Sequence, residues 1–344
     1  MKKLRLSSKK TVKRSIVNYT KMLYPKSVIG ISLCRTAKRN PNDLGLLFSF
    51  VLSWGGNRKT LLVIIDGIPY DCITRLQPST IMDIAHEGGL CRAMAGGMVG
   101  TYSETPTISA IGYMNILTGT WMNKHQVKGN ENIHPNYNYP TLFRLAKLQK
   151  QPYSTAVYSS WTDNRTILIG EGLEATGHLK VDFHADGYDL DTVAFPKQPG
   201  DLQLQAIDGK VCEEAARTIN SKAPDINWVY LWYTDDAFHI NGNGKVSDNA
   251  VLKADAQLAK VWAAVKDRER KFGEEWLVIV TTDHGRDFLG FNHGGQFFRE
   301  RSSWIATNAN SLNEHFSDGR LAQVDILPTI SRFMHFDIPS YISY

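Results

Sequence analysis

Three short apolar runs, each leading into Asp or His, constrain this chain more than any other feature. They are LLVIID, ending at Asp66; WVYLWYTDDAFH, carrying Asp235 and His239; and LVIVTTDH, carrying Asp283 and His284. Each opens with residues rich in Leu, Val, Ile, Trp or Tyr, the pattern of a strand covered on both faces. Each then places carboxylates or imidazoles where the strand should end. The strands are expected at 61–65, 228–233 and 277–281, with others at 155–161 and 304–308. Helical patterns at 79–88, 141–151, 213–222, 248–271 and 324–335 alternate with them. This alternation predicts an α/β fold with a doubly wound, mostly parallel central sheet and helices on both faces. In such a sheet ligands bind at the carboxyl ends of the strands. Segments remote in sequence would then deliver Asp and His to one edge.

Charge divides the chain unevenly. Its 344 residues carry a net +5, but residues 1–40 hold 12 Lys or Arg and no Asp or Glu. Setting those 12 aside leaves −7 for the remainder, an acidic body that does not favour nucleic-acid binding. The basic arm reads as a solvated tail or as a segment attracted to an anionic membrane. The stretch LGLLFSFVLSW, ending at Trp54, resembles the apolar core of a secretion signal, although the chain before it is too long for an ordinary one. We therefore expect residues 1–56 to form a leader and 57–344 a catalytic domain, with an insertion at 162–207 where periodicity weakens. A periplasmic, secreted or membrane-associated location follows if the apolar stretch is a signal; a buried first element in a cytoplasmic protein is the alternative. Cys34, Cys72, Cys91 and Cys212 show no CxxC spacing, which argues against a zinc ribbon and a disulfide scaffold.

The chemistry-bearing residues are individually ambiguous. Asp66 before Gly67 also suits a turn. Asp235 and His239, spaced i and i+4, would share one helix face, yet such pairs are common on surfaces. Asp283-His284-Gly285 requires a tight turn after its strand, and His293 follows ten residues later in FNHGGQ, where glycines permit close backbone approach. Together they supply three Asp and three His, oxygen and nitrogen ligands suited to zinc-like ions. Three carboxylates would offset most of the charge on two divalent ions. PTISAIGYMNILTG adds a hydroxyl, Ser109, at the expected start of a helix. An isolated Ser there is most simply an N-cap. Helix N-termini also attract anions, and a Ser oxygen near metal ions can become a nucleophile.

In this order the motifs resemble the alkaline phosphatase superfamily, specifically its nucleotide pyrophosphatase/phosphodiesterase-like branch. VIIDGIPYD at 63–71 resembles that branch's first metal motif. The family's nucleophile precedes a Thr-Gly pair by nine residues, and counting back from Thr118-Gly119 reaches Ser109. A family Asn follows twenty-one residues after the nucleophile, at Asn130 here. The DxxxH motif matches Asp235 and His239, the DHG motif Asp283-His284-Gly285, and the last His matches His293. The resemblance covers roughly 57–335. SAIGYMNI also resembles the Ser motif of the superfamily's cofactor-independent phosphoglycerate mutases. Three departures stand out: Ser109 replaces the usual Thr, Ile111 stands where Pro is common, and His293 comes early after Asp283.

The resemblance implies a metal-dependent phosphoric ester hydrolase acting through a phospho-Ser109 intermediate. Asp235, His239 and His293 would hold one divalent ion, and Asp66, Asp283, His284 and the Ser109 oxygen a second, both expected to be Zn2+. Asn130 would donate a hydrogen bond to charge on phosphorus. The expected partner is a small, nucleotide-like phosphate ester. Tyr113, Trp121, Lys128, Tyr137 and Tyr139 are candidates for a substrate wall, and Lys128 and Arg286 for a clamp on a dianionic phosphoryl group. A monoesterase or phosphomutase of the same superfamily is the near alternative, and an inactive metal-binding protein the remote one. A sulfatase is disfavoured, because none of the four cysteines sits in the CxPxR-type motif that its formylglycine precursor needs.

Overall fold

The computed structural model describes residues 57–342. The expectations for residues 1–56, leader and signal alike, lie outside the described residues. Eight strands form one sheet: β1 (Arg58–Ile65), β2 (Gly89–Met94), β3 (Thr155–Ser159), β4 (Phe183–Ala185), β5 (Ile226–Leu231), β6 (Glu275–Thr281), β7 (Ser302–Thr307) and β8 (Leu321–Ala322). Their order across the sheet is β4-β3-β5-β1-β6-β7-β2-β8. β1 lies between β5 and β6 and is parallel to both. Only β7 runs against the others, pairing antiparallel with β6 and β2. The mostly parallel α/β sheet read from the sequence is the one observed.

Alternation along β1 builds two cores. Leu61, Val63 and Ile65 face one core, and Leu62 and Ile64 face the other. The first is closed by Val211, Ala215 and Ile219 of the helix Leu202–Lys222 and by Val251, Leu258 and Val265 of the helix Lys245–Phe272. The second is closed by Ile111 and Met114 of the helix Ser109–Thr118 and by Leu327 and Ile330 of the helix Ile326–Met334. Each Val, Leu, Ile or Met among them, fully buried, contributes about 1.5–3 kcal/mol. Burial on both sides explains why β1, β5 and β6 read as unbroken apolar runs.

The differences from expectation have local causes. β2 (GLCRAM) was not anticipated, because it mixes polar and apolar residues without a run or a clean alternation. The helix expected at 213–222 begins at Leu202, since polar residues and Gly209 blur its first turns. Within the stretch 162–207, Phe183–Ala185 pairs as edge strand β4 beside β3, a strand that was not anticipated. A three-residue edge strand buries too little to leave a pattern in the sequence.

Candidate metal and nucleophile centre

Asp66 follows β1, the helix Tyr233–Asn241 carrying Asp235 and His239 follows β5, and Asp283-His284 follows β6. Adjacent parallel strands therefore bring all three segments to one sheet edge. Asp208 fixes the start of the middle segment. Its buried carboxylate accepts the N–H groups of Trp232 (2.9 Å) and Tyr233 (3.0 Å) and the Ser160 hydroxyl (2.6 Å). On that helix, Asp235 and His239 lie on one face, with Oδ2 to Nε2 at 3.2 Å.

The six Asp and His residues form two groups whose candidate ligand atoms all lie within 4.8 Å of one another: Asp66 with Asp283 and His284, and Asp235 with His239 and His293. The first group is fully enclosed. Asp66 Oδ2 accepts the hydroxyls of Tyr230 (2.7 Å) and Tyr113, while Oδ1 is buried without a partner. Asp283 Oδ1 accepts the Gly67 N–H at 3.1 Å, and its Oδ2 is likewise unpartnered. His284 Nδ1 faces the Gly285 carbonyl at 2.9 Å and so carries the hydrogen. Its Nε2 lone pair then points at Asp283 Oδ2 (3.2 Å) and Asp66 Oδ1 (3.5 Å).

These short approaches are not ion pairs. Burial, followed by the neighbouring His293, holds the His284 pKa well below the ordinary imidazole range, so the ring is neutral. Burial, then the charges on Asp283 and Asp235, raises Asp66 well above the carboxylate range; burial, then Asp235, pushes Asp283 up to about 7. Two unpartnered carboxylate oxygens and an imidazole lone pair converging in a dry site repel one another unless a cation or protons sit between them. This donor set fits a divalent cation.

The second group is more open. His239 keeps 37% of its side-chain exposure, whereas Asp235 and His293 keep about 10% or less. His293 donates from Nδ1 to the Thr107 carbonyl at 2.7 Å, which turns Nε2 to within 3.1 Å of His239 Nε2. Burial would raise the Asp235 pKa, but the Arg286 guanidinium, and then the His239 hydrogen bond, outweigh it and hold the carboxylate well below its usual range. The His284 and His293 rings stack 3.7 Å apart, so the two groups adjoin.

Ser109 meets this pair of groups from the second core. The helix Ser109–Thr118 is buried along its whole length, and its N-cap is Ile108, so Ser109 is the first helical residue and not the N-cap. The Ser109 hydroxyl lies 3.2 Å from His284 Nε2. The next N–H, of Ala110, donates to Asn130 Oδ1 at 2.9 Å, which anchors the Asn130 amide beside the helix start. Gly119, at φ 62, ends the helix in the left-handed conformation glycine favours, and its N–H returns to the Asn115 carbonyl at 3.0 Å. Gly112 allows the close approach, for a Cβ there would lie 2.8 Å from both Asp283 Cβ and the Asp283 carbonyl oxygen. Neither neighbour can move without displacing a candidate ligand. Gly112→Ala is therefore expected to lose about 1–3 kcal/mol of stability by overpacking and to lower cation affinity. Denaturant titration and cation titration of the variant check both; an unchanged pair of values would contradict the packing argument.

Several expected roles move. Tyr113 is buried against Asp66 and Tyr230 and lines no substrate wall. Tyr137 donates to the Ile167 carbonyl at 2.6 Å, and Tyr139 packs edge-on against Tyr341. Trp121 is the N-cap of the short helix Met122–His125. Lys128 is exposed. Arg286 is fully buried with its guanidinium bonded to protein groups, so it is no clamp on substrate. The sequence reading missed Tyr230 and Thr107. Tyr230 was findable, because its register in β5 puts it on the face covered by the Ser109 helix, where Tyr113 follows Ser109 by one turn. Thr107 closes the His293 turn through Gly294 N–H and the Gly295 carbonyl, both at 2.9 Å.

A family model for type I phosphodiesterase / nucleotide pyrophosphatase matches residues 60–301, a span that contains every candidate site residue. The chain belongs to the type I phosphodiesterase/nucleotide pyrophosphatase family. It is accordingly a hydrolase of the alkaline phosphatase superfamily, whose members depend on metals. Solved structures share the fold at low identity. One is a 2-O GAG sulfatase, with TM-score 0.60 and 13% identity, covering 83% of this chain and 72% of that one. Another is a sulfatase candidate from Bacteroides thetaiotaomicron, with TM-score 0.57 and 13% identity, covering 83% and 73%. No curated protein matches the sequence. The matched span contains both Asp/His groups, which adjoin through the stacked His284 and His293 rings.

Proposed function

We propose that this protein is a two-metal phosphodiesterase that hydrolyses small, nucleotide-like phosphoric esters through a phospho-Ser109 intermediate. The observation that carries the reading is the Ser109 hydroxyl, 3.2 Å from His284 Nε2 at a helix N-terminus and beside two groups of three Asp/His ligands. Asp66, Asp283 and His284, with the Ser109 oxygen, would hold one divalent ion, and Asp235, His239 and His293 the other. Bound there, two such ions, taken as Zn2+, would neutralise charge on the attacking and leaving oxygens. Ser109 Oγ forms a bond to phosphorus as the bond to the leaving alcohol breaks, and water then cleaves phospho-Ser109. The Ser109 helix N-terminus offers N–H groups to the phosphoryl oxygens. Asn130, held through its carbonyl by Ala110, has its amide hydrogens available to the same charge.

Diesters are favoured over monoesters for two reasons. Arg286 is buried away from any substrate phosphoryl group, leaving Lys128 as the remaining cation of the expected clamp. Exposed Phe288, Phe297 and Phe298 flank His293 in sequence, and an ester bearing an apolar or aromatic group would find matching surface there. A sulfatase reading has less support. Its formylglycine motif needs Pro and Arg two and four places after the converted residue, whereas Ile111 and Tyr113 follow Ser109. The test is kcat/KM of the metal-loaded protein for an aryl phosphodiester, the matching monoester and the aryl sulfate. The diester is expected to lead. A monoester advantage of about tenfold, ~1.4 kcal/mol at the transition state, would reassign the protein as a phosphatase. A sulfate advantage would reassign it as a sulfatase.

A further inference from the structure

Arg286 lies two residues after His284 and is fully buried. Its Nε donates to the Gly67 carbonyl at 3.0 Å, Nη2 to the Asp235 carbonyl at 2.9 Å and to Asp235 Oδ1, and Nη1 to the Phe291 carbonyl at 3.4 Å. The guanidinium also sits 5.4 Å from the Phe238 ring centre. These partners adjoin Asp66, include Asp235, precede His239 and precede His293. One side chain therefore fastens the segments that carry both candidate ligand groups. Gly67, at φ 68, is part of the arrangement, since a Cβ there would run into the guanidinium and the Asp235 carboxylate.

The same contact separates the two groups electrostatically. The Asp66–Asp283–His284 group has two carboxylates, each with one buried, unpartnered oxygen. The Asp235–His239–His293 group has a single carboxylate, and that carboxylate already carries a guanidinium. An entering divalent cation finds two carboxylates with free oxygens in the first group, which yield any protons to it, and in the second a single carboxylate that a guanidinium already neutralises. Affinity for hard and borderline cations follows the count of ligand charge.

We propose that Arg286 makes the two groups unequal: the enclosed Asp66 group retains its cation, and the Asp235 group binds one weakly and reversibly. Arg286 is then a positioning residue that keeps the outer ligands assembled while empty and lowers their affinity for a cation. Turnover follows the free cation concentration through the outer group alone. This rests on the two-cation reading above.

The test titrates metal-free, full-length protein with Zn2+ against a chromophoric chelator, following stoichiometry and affinity without substrate. Two phases are expected, the second weaker by about 100-fold or more, a gap of ~2.7 kcal/mol. Asp283→Asn should remove the tight phase and His239→Ala the weak one; the reverse assignment would overturn the inference. Arg286→Gln keeps donors but removes the charge, and should tighten the weak phase by about tenfold, ~1.4 kcal/mol. Arg286→Lys keeps the charge and should preserve the gap. Equal weakening of the outer phase by both would reduce Arg286 to a strut and sink the electrostatic part. If Arg286→Gln does not fold, the two ligand variants still decide the order of loading. Two cations of equal affinity in an active enzyme would overturn this inference and leave the proposed function standing. Unequal binding without ester hydrolysis would do the opposite. Absence of binding would end both.

Discussion

Ser109→Ala is expected to lower kcat/KM by at least about a thousandfold, ~4 kcal/mol of transition-state stabilisation, with fold and cation content nearly intact. The hydroxyl is the proposed nucleophile, 3.2 Å from His284 Nε2. Its structural contribution is small, because Ile108 rather than Ser109 is the N-cap and the hydroxyl makes one side-chain contact, to His284. Losing one such hydrogen bond costs on the order of 1 kcal/mol. Steady-state kinetics, circular dichroism and elemental analysis on one preparation separate these effects. Ser109→Thr, which keeps a hydroxyl, should retain part of the rate. A folded, metal-replete alanine variant with a near-normal rate would rule out the covalent mechanism.

Chelation should be nearly as disruptive, and its effect should depend on pH. In the cation-free protein, burial and then the Asp235 charge push Asp283 up to about 7, and burial with the neighbouring carboxylates raises Asp66 as well. Unfolded, both groups ionise near pH 4. Between about pH 4 and 7 the folded protein holds protons that the unfolded chain has released, so stability falls as pH rises through that window and stays low above it. For Asp283 alone the loss between pH 5 and 8 is on the order of 3 kcal/mol. A bound cation takes the place of those protons and removes the dependence. Thermal unfolding at pH 5 and 8 should show the chelated protein losing roughly 5–10 °C over that range, with the loaded protein far less affected. If the chelated form is as stable at pH 8 as at pH 5, the enclosed Asp66 group is not the cation site described.

The fold class was legible because a parallel sheet covered on both faces leaves a distinct trace. β1, β5 and β6 each contain an unbroken apolar run, at 61–65, 228–231 and 276–280, and the first polar residues after them stand out. β4 and β8, of three and two residues at the sheet edges, left no such trace because they bury little, and β2 left none because it mixes polar with apolar residues. The helical spacing of Asp235 and His239 was legible for the same kind of reason, because four residues make one turn whatever the tertiary context.

The sequence by itself therefore determined which residues end the central strands, and so which Asp and His side chains a parallel sheet would gather at one edge. The motif resemblance also implied which of them share a group; only the tertiary structure decided what the residues between them do. Arg286 and Tyr113 mark that boundary. From sequence, one is a cation near a phosphoryl site and the other an aromatic near a nucleophile, so both read as substrate contacts. In the fold, Arg286 is sealed beneath Asp235, and Tyr113 is turned onto Asp66 beside Tyr230. A side chain's charge and size are properties of the residue. Its depth and its partner depend on which crossover connections pass beside it, and those contacts span tens to hundreds of residues that no local pattern encodes.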